Sequence, residues 1–115
     1  MKRGDVYWAH LLPRSGSEQT GRRPVIVVSH DGFNQALGWR SIIVVPLSTS
    51  SSQGKRGPTV IELSGGTAGL PKASFAVCHQ VTTLDRATLT KRAGSLPSVS
   101  LREVEEGLKA AMDLD

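Results

Sequence analysis

Arginines, hydroxyls and amides that could hold a phosphate fall in four short stretches of this 115-residue chain. Lys2-Arg3-Gly4-Asp5-Val6-Tyr7-Trp8 leads charges into a pair of aromatic rings. Gly16-Ser-Glu-Gln-Thr-Gly-Arg-Arg-Pro-Val25 is polar and ends on adjacent arginines. Val45-Pro-Leu-Ser-Thr-Ser50 carries hydroxyls where an apolar run emerges, and His79-Gln-Val-Thr-Thr-Leu-Asp85 is polar where another ends. An arginine presents a planar fork of donors to phosphate oxygens, and hydroxyls and amides add further donors. Such a set can bind a phosphate and stabilise added charge on it with neither a metal nor a covalent nucleophile. The single cysteine, Cys78, lies in the apolar Phe75-Ala-Val-Cys78 and reads as a buried structural thiol; alone it excludes an internal disulfide. His10, His30 and His79 are scattered without metal-ligand spacing on a helix, so no metal is expected.

These groups need elements to position them. Val6–Ala9 has the β-formers Tyr7 and Trp8 and reads as a first strand. Residues 12–23 contain two glycines and a proline and read as a long loop. Pro24–Val28 and Ser41–Pro46 are β-branched and apolar on both faces, the pattern of central strands. Between them, Asp31–Gly38 has room for one helical turn. Ser48–Pro58 reads as a mobile loop, Thr59–Leu63 and Ser74–Val81 as strands around the turn Ser64–Gly69, and Leu89–Gly94 as one more. Ser100-Leu-Arg-Glu103 fits a capping box, and Leu101, Val104, Leu108 and Met112 form one apolar stripe at helical spacing. Mainly β with a terminal helix, the chain is expected to form a small, strongly bent sheet or barrel with that helix packed against it.

Length favours one domain over residues 1–115. Lysine and arginine number 14 against 10 acidic residues, for a net charge of +4. The excess is uneven: residues 1–56 hold eight basic and three acidic residues, residues 57–115 six and seven. An anionic partner on the surface built by the first half is one reading, and a solvated basic face the other. The longest apolar runs, Val25–Val28 and Ile42–Leu47, fall far short of the ~20 residues of a membrane helix. No apolar segment follows the charged N-terminus, so a signal peptide is not expected and a cytoplasmic location is.

The order and spacing of Arg3-Gly4-Asp5-Val6-Tyr7-Trp8 and Gly16-Ser17-Glu18-Gln19…Arg23-Pro24-Val25 resemble the MazF/PemK (Kid) family of toxin endoribonucleases, over nearly the whole chain from Lys2 to Leu114. The resemblance implies an SH3-like, PemK-type barrel with helices, assembled as a homodimer. It implies metal-independent cleavage of single-stranded RNA at short sequence motifs, without a cofactor. It also implies a cognate MazE-like antitoxin whose flexible acidic tail occupies the RNA groove.

Arg23, in its Arg-Pro-Val, matches the family's catalytic arginine. Its fork suits the non-bridging phosphate oxygens better than proton donation, since a guanidinium gives up its proton reluctantly. The family's catalytic threonine follows a buried strand and Pro-Leu. Here an ungapped match puts Ser48 at that position, and a one-residue bulge would bring Thr49 there instead. Gln80 matches a family glutamine that could hold a phosphate or read a base edge. Gln19 and Arg22 in the polar loop, and Lys55, Arg56 and Lys72 in later loops, are candidate RNA contacts or solvated charges. Thr82 stands where many members have arginine, and His79 where some have an acidic residue. Trp39 is expected in the core or at a dimer contact. The competing readings are a CcdB-like toxin directed at gyrase and a non-cleaving RNA-binding relative.

Overall fold

Residues 1–11, 21–55 and 57–115 are described by the structure, a computed structural model of the chain. Along them run β1 (Asp5–Leu11), β2 (Gly21–Val27), α1 (Asp31–Asn34), β3 (Ser41–Ser48), β4 (Val60–Leu63), β5 (Ser74–Val77), β6 (Thr82–Asp85), β7 (Leu89–Ser95) and α2 (Ser98–Met112). Short 3-10 turns occupy Ser51–Lys55, Thr67–Gly69, Cys78–Gln80 and Arg86–Thr88. The strands form one antiparallel sheet in the order β4-β5-β3-β2-β1-β7, with β6 also paired to β3.

The doubly apolar strands bury both faces. Val6, Ile26, Val45 and Leu47 point into one core, closed by Leu63, Leu70, Val104 and Leu108. The alternate residues Ala9, Leu11, Val25, Val27, Ile42 and Val44 build a second core on the other face, with Tyr7 and Leu84 packed against it. Helix α2 covers the first core with Val104 and Leu108, while Leu101 is half-buried and Met112 is exposed.

The sheet curls but does not close. Its two ends approach where the Thr67–Gly69 turn lies against β7, backbone to backbone. A Cβ on Gly69 would stand 2.2 Å from the Ala93 carbonyl oxygen, and one on Gly94 2.5 Å from that of Ala68. Contact there needs glycine on both sides, and no strand ladder joins β4 to β7. The expected barrel is therefore an open, curled sheet. Two irregularities in the β1–β7 register, at Val6/Tyr7 and Trp8/Ala9, supply part of the bend.

Arg3 ties the ends of the chain to this frame. Its backbone N–H donates to Asp31 Oδ1 at 2.6 Å, its Nε–H to the Val28 carbonyl at 3.0 Å, and its guanidinium meets Glu105 of α2 at 2.5 Å. The Arg3 N–H, then the Asn34 amide, hold the Asp31 carboxyl below its ordinary value. Asp5, next to it, accepts from Lys2 N–H and from the Ser95 hydroxyl, so it anchors the start of β1 as a turn residue.

Local readings shift in three places. β2 starts at Gly21, three residues before Pro24. The apolar stretch Ser74–Val81 is not one strand: β5 stops at Val77, a 3-10 turn follows, and β6 begins at Thr82. α2 starts at Ser98 behind Pro97, which has no capping side chain, so Ser100 and Glu103 lie inside the helix and form no capping box. Among the described residues no helix is long and apolar enough to cross a membrane.

Where α2 crosses the Cys78–Gln80 turn, a Cβ on Gly107 would lie 2.6 Å from Cys78 Sγ and 3.2 Å from Ile61 Cγ1. Gly107→Ala gains about 1 kcal/mol of helix propensity but overpacks this contact at a cost of roughly 1–3 kcal/mol. Urea titration should show net destabilisation, much of it relieved in the Gly107→Ala/Cys78→Ala double variant; strictly additive effects would refute the contact. Burial also pushes the Cys78 thiol up to about 11, so it stays protonated at neutral pH. A disulfide reagent at pH 8 should label Cys78 only as fast as the chain unfolds, and immediate labelling in native buffer would show that this turn opens by itself.

Candidate functional site

β3 changes partners half-way along its length. On one edge its ladder with β2 runs Val27↔Val44, Ile26↔Val45 and Val25↔Pro46, and stops. On the other edge it pairs with β6 from Ser41 to Val44 and with β5 from Leu47 to Ser48. Pro46, with no N–H to give, sits at both changeovers. Beyond it β2 continues as Pro24-Arg23-Arg22 and β3 as Leu47-Ser48-Thr49, with no ladder between them. A cleft of about 190 Å³ opens there, walled by Arg22 and Arg23 from β2, Trp8 from β1, Thr49 after β3, Lys72 before β5 and Ser74 at its start.

The register decides how the arginines stand. Trp8 opposes Pro24, so Arg22, two residues earlier on the same face of β2, lies diagonally across from the indole. Its guanidinium carbon rests 4.4 Å from the ring centroid. Arg23 opposes Ala9 and alternates to the other face; it is half-buried, and both arginines contribute to the cleft wall. With Lys72 they place cationic groups around the opening, and none of its described lining residues is a carboxylate.

The two candidate hydroxyls sit at different depths. Ser48 is 5% exposed, is not among the residues lining the cleft, and its Oγ accepts the Ser50 N–H at 3.1 Å. Thr49 is exposed on the cleft wall. Each ladder of β3 is regular within itself, but on the edge facing β5 and β6 the register changes between Val44 and Leu47, where the Cys78–Gln80 turn separates the two partner strands.

The other candidates are spread more widely. Gln80, half-buried on the turn between β5 and β6, is outside the cleft lining. Gln19 and Arg56 lie outside the described residues; Lys55 ends the Ser51–Lys55 turn, and its side chain is outside them too. Thr82 opens β6 opposite Val44. His79 Nδ1 hydrogen-bonds the Thr59 hydroxyl at 2.8 Å, and His30 Nδ1 accepts Gly32 N–H at the start of α1, so each histidine has a local structural partner. Trp8 was not among the sequence candidates for the site. Its signal is a cross-strand one, the pairing of the Trp8 and Pro24 positions, which appears only once the register is known.

Trp39 is not in the core. It is 43% exposed and stacks on Phe33 with ring centroids 4.5 Å apart; Leu37 and Ile43 are exposed as well. The Arg86 guanidinium fixes this loop by donating to the carbonyls of Trp39, Phe33 and Ala36. Trp39 Nε1–H donates to the Ser41 carbonyl.

Comparison with known proteins gives one consistent match. The family described as the PemK-like, MazF-like toxin of type II toxin–antitoxin systems matches residues 2–112. The chain is 32% identical to Endoribonuclease MazF6 of Mycobacterium tuberculosis over 114 residues, which is 99% of this chain and 98% of that one. It is 33% identical to Endoribonuclease EndoA of Bacillus subtilis, over 99% of this chain and 96% of the relative. Among solved structures, MazF of Deinococcus radiodurans superposes with a TM-score of 0.80 at 23% identity, covering 99% of this chain and 97% of that one. The M. tuberculosis toxin MazF-mt6 gives 0.78 at 21%, covering 96% and 98%. A MazE–MazF complex from D. radiodurans gives 0.71 at 23%, covering 100% and 97%.

Proposed function

The chain belongs to the PemK-like, MazF-like toxins of type II toxin–antitoxin systems, and from that premise we propose how its cleft cuts RNA. It is a toxin endoribonuclease. Residues 1–115 act as one domain. The nucleophile comes with the substrate: the ribose 2′-OH attacks the adjacent phosphorus, losing its proton as the new P–O bond forms. The P–O5′ bond breaks and the 5′-oxygen takes up a proton. The products are a 2′,3′-cyclic phosphate and a 5′-OH, and DNA, lacking the 2′-OH, is not cut.

The protein's task in this reaction is to orient the phosphate and stabilise the charge that builds on it. Arg23 meets the non-bridging oxygens as a permanently charged fork. Ser48 is the catalytic hydroxyl by its match to the family position: its oxygen accepts the Ser50 N–H, and it stands next to Thr49 of the cleft wall. Thr49, Arg22 and Lys72 hold the flanking RNA, with Gln80, Gln19, Lys55 and Arg56 as further contacts along its path. The observation that carries this reading is the cleft itself, where cationic groups and hydroxyls converge with no carboxylate among the described lining residues.

Two partnerships complete the reading. A MazE-like antitoxin with an acidic tail covers the cationic cleft. A second copy of the chain packs on the exposed apolar side chains of Phe33 and Trp39, which stack on one another, and of Leu37 and Ile43. RNA as substrate places the toxin in the cytoplasm.

Purified protein should cut a long single-stranded RNA in excess EDTA into discrete fragments with cyclic-phosphate ends. Arg23→Ala should lower the rate by ~10²–10³, as should Ser48→Ala, while Thr49→Val should cost less than about tenfold. A Thr49→Val loss larger than that of Ser48→Ala would move the catalytic hydroxyl to Thr49. No cleavage by folded protein would leave an RNA-binding relative without nuclease activity. Light scattering should give about twice the 12.3 kDa chain mass, falling to the monomer in Leu37→Glu. A monomeric wild type would remove the dimer.

A further inference from the structure

Trp8 is the aromatic ring of the cleft wall, and a side chain covers it. The Arg22 guanidinium lies 4.4 Å above its centroid. The two differ in how firmly they are held. The Trp8 backbone is paired on both sides, to Pro24 of β2 and Lys91 of β7, and its carbonyl accepts the Thr90 hydroxyl at 3.2 Å. Arg22 is exposed, and no ion pair to it is found among the described residues. A cation resting on an indole in water is weakly attached, and charge-assisted hydrogen bonds to a phosphate are stronger. The ring is therefore fixed and its cover removable.

We propose that Trp8 is a nucleobase subsite closed by Arg22 in the free protein. This rests on the nuclease reading for its ligand and adds to it a specific order of contacts. RNA draws the guanidinium off the indole and onto a backbone phosphate, and a base takes the vacated ring face. Stacking scales with the π surface that overlaps, so the subsite favours a purine over a pyrimidine. Arg22 is then a residue of substrate entry as well as affinity, because the base and the guanidinium compete for one face of the ring.

The chain has two tryptophans, so Trp39→Phe, which keeps a ring on Phe33, leaves Trp8 as the only indole. In that background, 2′-O-methyl oligoadenylate and oligouridylate, which cannot be cleaved, are titrated with two readouts: anisotropy of the labelled RNA and indole emission. Binding should quench the indole, and oligoadenylate should bind roughly fivefold tighter. Arg22→Ala should make the free protein's indole more accessible to acrylamide and lower the salt slope of RNA binding by about 0.7, while keeping the quench. Trp8→Leu should abolish the purine preference and leave the salt slope unchanged. RNA binding with silent indole emission, or acrylamide access unaltered by Arg22→Ala, overturns the subsite and leaves the nuclease standing. No anisotropy change with either RNA overturns both.

Discussion

The site exists because β3 cannot pair with β2 along its whole length. Antiparallel ladders are continuous until something removes a donor or turns a strand away, and here Pro46 stands where the ladder ends. Without that break, Arg22 and Arg23 would face a paired strand and their neighbourhood would be filled by backbone. With it, β3 passes to a second neighbour and leaves the β2 arginines at the lip of an opening. The same residue thus limits the sheet and creates the space in which the cationic groups meet.

That opening is asymmetric by construction. Adjacent arginines on a strand must point to opposite faces, so Arg22 stands on the indole side and Arg23 on the side of the second core. A phosphate chain running past them meets one guanidinium that is half-buried and one that is exposed. Burial confers position on Arg23, and exposure confers reach on Arg22. The hydroxyls repeat the division, with Ser48 inside and fixed by a backbone donor and Thr49 outside.

Much of this was legible beforehand, and the omissions have physical causes. The central strands announced themselves through β-branched runs apolar on both faces, and α2 through the spacing of Leu101, Val104 and Leu108. The split of Ser74–Val81 was not visible because Cys78-His79-Gln80, which forms a 3-10 turn where Gly107 of α2 comes close to Cys78, contains neither glycine nor proline. The capping box failed because Pro97 already directs the chain into the helix two residues ahead of the Ser100 position. Arg23 and Ser48 were candidates only through the family resemblance, since an arginine before proline and a serine after leucine are ordinary alone, and of the two only Arg23 lines the cleft. The Arg22–Trp8 contact depends on strand register, which the local sequence does not encode. Of the two places expected for Trp39, core or dimer contact, its 43% exposure removes the core and leaves the contact.

The placement of β1 also bears on how the toxin is made. β1 lies between β2 and β7, and Arg3 beside it is bound to Glu105 of the last helix. A nascent chain on the ribosome therefore carries β1 with one edge unpaired until β7 has been made. Trp8, which needs β7 on its far side to be held still, is among the last parts of the cleft to become rigid. The cleft of the ribonuclease is complete only once β7 has followed β1 out of the ribosome.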